Sequence, residues 1–220
     1  AAIIAAALLL SGCTSASRPA ESAPPTGTPS PSPTPVVTPT PEPEPADDEL
    51  VLVRDYIPGI FIDLKYATTD NFTGRVIYDS DEAYLRYGTV KKLLCAQNEL
   101  SGRGLSLKIW DAYRPVSAQF KLWEICPNPV YVSDPNNGYS KHSRANTVDI
   151  TLVTDTGKSI PMPSGFDDFT SLADRDYSDV SAEAAENARL LENVMVENGF
   201  VPYSGEWWHY SDSVAYDVYG

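Results

Sequence analysis

Histidine and cysteine are scarce in this chain of 220 residues, with two of the first and three of the second, and 16 lysines and arginines face 30 aspartates and glutamates. Each shortage narrows the possible functions. A net charge of −14 argues against nucleic acid or an anionic membrane surface as the main partner, since both repel an acidic surface. No Cys-x-x-Cys pair occurs, so cysteine-built zinc sites are excluded. No apolar run approaches the roughly 20 residues that a spanning helix needs. Any imidazole chemistry must use His142, His209 or both.

Proline is plentiful but confined. Eleven of the 19 prolines lie between Pro19 and Pro45, in a stretch with almost no large apolar residue to bury. Such a segment cannot offset its chain entropy, so residues 14–49 are expected to form an extended tether. Ahead of it, 1-AAIIAAALLLSGC-13 suits the apolar part of an export signal whose start is truncated. Its end, Leu10-Ser11-Gly12-Cys13, resembles the lipobox of bacterial lipoproteins. That resemblance implies lipidation of Cys13 and anchoring to the outer face of the cytoplasmic membrane by the lipid alone. A plain signal peptide with an incidental cysteine is the alternative. Residues 50–220 are long enough for one domain with a sizeable core. Export also permits a Cys95–Cys126 disulfide, which is expected here, although cysteine is equally a small core residue.

Within that domain, 50-LVLVRDYIPGIFIDLKYAT-68 reads as one or two strands broken at Pro58-Gly59. Apolar residues at three-to-four spacing predict a helix over 82–100, and 105–111 reads as a strand. A helix over 116–125 and a strand over 147–153 follow. Residues 181–199 form a clear amphipathic helix, with Ser181 as N-cap and Gly199 as its stop. Two strands, 200–204 and 206–211, close the chain. The elements do not alternate strictly, so the expected class is α+β, a small antiparallel sheet with flanking helices.

Both histidines stand beside carboxylates, in 140-SKHSRANTVDI-150 and 206-EWWHYS-211. A catalytic zinc takes three protein ligands of nitrogen or oxygen, and His142, Asp149 and His209 supply such a set. In the 147–153 strand, Asp149 points away from Val148, Ile150 and Leu152, and a carboxylate in an apolar strand needs a partner. Glu206 is then the candidate base. Strand parity, however, turns Glu206 and His209 to opposite faces, so Glu206 is expected on a bend. Two unrelated histidines, each hydrogen-bonded in place, remain an alternative at this point.

Five blocks in order, 63-DLKYATTDNFTG-74, 109-IWDAYRP-115, 140-SKHSRANTVDITL-152, 162-MPSGFDDF-169 and 206-EWWHY-210, resemble the zinc D-alanyl-D-alanine dipeptidases of the vancomycin-resistance type. The resemblance implies the fold shared by DD-peptidases and the hedgehog signalling domain, with one Zn2+ in a cleft on the open face of the sheet. It implies His142, Asp149 and His209 as ligands and Glu206 as catalytic base. Arg114 would stabilise the oxyanion, while Asp167 with Tyr66, and Ser140 in the zinc block, would bind a small D,D-dipeptide. A DD-carboxypeptidase acting on peptidoglycan stems and a non-catalytic zinc-stabilised binding module are the alternatives. The loop carrying Asp167, with Trp207 and Trp208, is expected to close the cleft over a free dipeptide. Three departures stand out. Ala145 and Pro163 replace glycines that the family usually has, and 174-DRDYSD-179 stands where it has paired histidines. No role is read from that last segment.

Overall fold

The computed structural model describes residues 43–219; Cys13 and residues 14–42 of the expected tether lie outside them. At the centre is a five-stranded sheet of β2 (Phe61–Ile62), β4 (Leu105–Asp111), β5 (Thr147–Thr154), β7 (Glu206–Asp212) and β6 (Phe200–Tyr203), in that order across the sheet. A second, two-stranded sheet pairs β1 (Leu50–Leu52) with β3 (Tyr84–Arg86). The helices are α1 (Val53–Tyr56), α2 (Tyr87–Ser101), α3 (Val116–Ile125) and α4 (Ala182–Glu197). The α+β class is as expected.

Alternation along β4 and β5 sorts the side chains to two faces. Leu107 is paired with Leu152 and Ile109 with Ile150, and all four are 0–1% exposed. Helices α2 and α4 cover this apolar face with Leu93, Ala96, Leu100, Leu191, Val194 and Met195, all buried. The opposite face carries the pairs Lys108–Thr151 and Asp111–Asp149, and on β7 His209 pairs with Asp149. One face makes the core, and the other gathers polar groups.

Local signals set the helix ends. Ser181 Oγ accepts the Ala184 N–H at 3.2 Å, and the chain leaves α4 through Asn198 into Gly199 at φ 86°. The strand 147–153 and the helix 116–125 lie where their patterns put them. Three expectations need correction. The sheet is not wholly antiparallel, because β2 runs parallel to β4; the long crossover through α2 between them makes this possible. The helix expected from residue 82 starts at Tyr87, because residues 84–86 are drawn into pairing with β1. Cys95 and Cys126 are free thiols. Cys95 lies on the solvent side of α2, whereas Cys126 follows α3 half-buried against the core, so the two face different surroundings.

Candidate active site

The site begins with a tight turn. Ser140 Oγ accepts the His142 N–H at 3.3 Å and caps a single 3-10 turn, Lys141–Arg144. Ala145 ends it in the left-handed region at φ 58°, ψ 28°, where glycine has no Cβ penalty and alanine is strained by about 1–2 kcal/mol. The buried ring of His142 is set by this turn: Nδ1 lies 2.8 Å from the Ala112 carbonyl oxygen, which leaves Nε2 directed at Asp149 Oδ2, 3.3 Å away. A backbone carbonyl on one ring nitrogen, with the other nitrogen free to ligate, is the usual orientation of a metal-bound histidine.

Asp149 joins the two histidines. Its other oxygen, Oδ1, is 2.9 Å from His209 Nδ1 on the neighbouring strand. The ligating atoms of His142, Asp149 and His209 all lie within 4.8 Å of one another and all three residues are buried. Burial alone would raise the Asp149 pKa, but the charge and hydrogen bonds of His142, with those of His209, hold it well below the usual carboxylate range. His142 is held up, as Asp149 and Asp111 outweigh its burial, whereas burial holds His209 down. Two imidazoles and one carboxylate, buried and convergent, fit a zinc-type ion.

Glu206 reaches this group despite its parity. The β6–β7 pairing runs from Phe200–Asp212 to Pro202–Tyr210 and then slips to Tyr203–Glu206. The irregularity reorients the first residue of β7, bringing Glu206 Oε2 to 3.5 Å from His209 Nδ1. Burial, then the charges of Asp149 and Asp167, push Glu206 up to about 8. It can hold a proton at neutral pH.

Arg114 faces the same space. Its Nε and Nη2 grip Asp111 Oδ2 at 3.2 and 2.6 Å, Nη1 donates to Gln119 Oε1 at 2.9 Å, and its guanidinium carbon lies 5.0 Å over the Tyr66 ring. Burial disfavours its charge, but Asp111 more than compensates and holds its pKa well above the ordinary value. Across from it, Tyr66 Oη donates to Asp167 Oδ2 at 2.6 Å. Asp167 sits at φ 51°, and burial pushes its carboxyl up to about 7 against the lowering effect of the Tyr66 bond. A cavity of about 80 Å³ is lined by Tyr66, Arg114, Ser140, Asp167, Glu206 and the three ligand candidates, among others.

This constellation has relatives. The D-ala-D-ala dipeptidase family matches residues 46–217. The chain belongs to this family. D-alanyl-D-alanine dipeptidases of Escherichia coli, Enterococcus faecium and Streptomyces coelicolor are 39%, 35% and 35% identical to it, over 74%, 71% and 74% of this chain and 83%, 87% and 91% of theirs.

In this member of the D-ala-D-ala dipeptidase family, every candidate site residue within the described segment borders the one cavity; only Cys13 lies outside the described residues. Trp207 and Trp208 do not close it. Both are 0–1% exposed and packed in the core, where Trp207 Nε1 donates to Ser164 Oγ and so anchors the loop that carries Asp167. Sequence reasoning missed Asp111, Gln119 and Tyr78. Asp111 accepts from both Tyr78 and Arg114 and fixes the guanidinium from behind. The signal for Asp111 was present: an aspartate three residues before an arginine, inside an apolar strand.

Proposed function

We propose that this chain is a zinc-dependent dipeptidase that hydrolyses D-alanyl-D-alanine to two D-alanines in cell-wall peptide metabolism. Its family and its 34–39% identity to several D-alanyl-D-alanine dipeptidases support the reaction. The observation that carries the reading is the meeting of His142, Asp149 and His209 with Glu206 and Arg114 in one small cavity. His142, Asp149 and His209 would hold the zinc, which when bound supplies Lewis-acid polarisation and makes water more acidic.

The chain's own groups supply the rest. Glu206, which can bind or release a proton near neutrality, takes one from the attacking water and returns it to the departing amine. Arg114, already oriented by Asp111 and Gln119, offers fixed positive charge where the carbonyl oxygen becomes negative. Asp167, held by Tyr66, receives the substrate ammonium. Ser140 sets the turn that aims His142.

We further read residues 1–13 as the export signal and lipobox, 14–49 as the tether and 50–220 as the dipeptidase domain. The enzyme would thus be held at the outer face of the membrane through Cys13. The test of the reaction compares free D-Ala-D-Ala with an N-acylated tripeptide ending in D-Ala-D-Ala. Strong preference for the free dipeptide is expected, and Asp167→Ala should narrow it by about tenfold or more, the worth of a hydrogen-bonded charge. Comparable rates on both substrates would point to a carboxypeptidase.

A further inference from the structure

The hairpin that carries both Glu206 and His209 loses its regular pairing next to the site. After the Pro202–Tyr210 pair the register slips, and the next pair is Tyr203–Glu206. Yet this hairpin must hold Glu206 and His209 in one geometry, since His209 Nδ1 lies 2.9 Å from Asp149 and 3.5 Å from Glu206.

Arg175, in the unassigned segment 174-DRDYSD-179, spans the slip. Its Nε donates to the Tyr203 carbonyl at 2.7 Å and its Nη2 to the His209 carbonyl at 3.1 Å. Its Nη1 donates to Glu192 Oε2 and to Tyr210 Oη, each at 3.1 Å, tying the hairpin to α4. The guanidinium also stacks 4.6 Å from the centre of the Tyr210 ring. The side chain is only 10% exposed. Tyr210 follows His209 on the strand and therefore points to the other face, so Arg175 approaches from the side opposite the cavity. It does not line the cavity.

Resting on the reading of the site given above, we propose that Arg175 is a positioning residue for the metal ligand His209 and the base Glu206. With one guanidinium it clamps the carbonyls on both sides of the register slip and ties them to α4. Only a planar fork with several donors reaches both carbonyls and the α4 carboxylate together; a lysine ammonium is a single point of charge.

The test uses the full chain with Arg175→Met and Arg175→Lys, measuring zinc affinity by chelator competition, the visible spectrum of the cobalt-substituted protein, kcat and KM for D-Ala-D-Ala, and thermal unfolding. Both variants are expected to bind zinc about 10–100-fold more weakly, as typical when a ligand's supporting partner is lost. They should also show altered cobalt bands and a reduced kcat at unchanged KM. Wild-type zinc affinity and cobalt spectrum, with only a lower unfolding temperature, would overturn the proposal. If Arg175→Met does not fold, Arg175→Lys decides, and wild-type affinity in it overturns the proposal equally. Failure of the unmodified chain to bind zinc would instead overturn the reading of the site, and this proposal with it.

Discussion

The two faces of the central sheet are built from the same strands and yet obey different rules. On the helix-covered face, Leu107, Ile109, Ile150 and Leu152 are apolar and sealed from water. On the cleft face, Asp149, next to Ile150, and Asp111, turned there by the irregularity after Ile109, are buried almost as deeply but are ionisable. The apolar face gains stability from contact area, which tolerates rough replacement of one contact by another. The cleft face spends stability, because each buried carboxylate is tolerable only when its partners are placed. Asp111 is satisfied by Arg114 and Tyr78, and Asp149 by His142 and His209. The first arrangement is closed by protein alone; the second leaves convergent donors that suit a metal.

Substitutions on the two faces should therefore separate into loss of turnover and loss of stability. The largest effect is expected from Glu206→Gln, since an amide cannot accept the proton of water: a fall in kcat of about 10²–10⁴-fold at unchanged zinc content and unfolding temperature. Equal loss of zinc and activity would make Glu206 a ligand and erase the distinction between base and ligand set. On the other face, Leu152→Ala should cost about 2–5 kcal/mol in denaturant unfolding while leaving kcat of the folded protein unchanged. A lower kcat there would show that the faces are coupled. The smallest expected effect lies at the turn that feeds the cleft. Ala145→Gly removes a left-handed strain at φ 58°, and should raise stability by about 0.5–1 kcal/mol once the extra freedom of glycine in the unfolded chain is counted. A loss of stability would show that alanine's buried methyl group matters more than its backbone strain.

Elements whose signals are local were legible before the fold was seen. Helix α4 shows its cap, its stripe and its stop within 20 residues, and β5 shows a carboxylate set into a β-branched run. The ligand candidates were legible because two histidines leave little choice. What was hidden depends on partners distant in the chain. The parallel pairing of β2 and the small β1–β3 sheet follow from long-range contacts that no local pattern encodes. The orientation of Glu206 depends on a register slip set at Pro202 and Tyr203 of the facing strand. Arg175 is hidden for the same reason, as its acceptors are carbonyls 28 and 34 residues away and carbonyls have no sequence signature. The expected disulfide failed because export permits a bridge but does not place two thiols together.

On the function proposed above, the cleft face, unlike the helix face, is completed by a metal held by His142, Asp149 and His209. Metal analysis of the purified domain tests it most directly. About one zinc per chain is expected in the unmodified protein, and almost none in a His142→Ala, His209→Ala double variant that still unfolds cooperatively. Full metal loading in the double variant would contradict the claim.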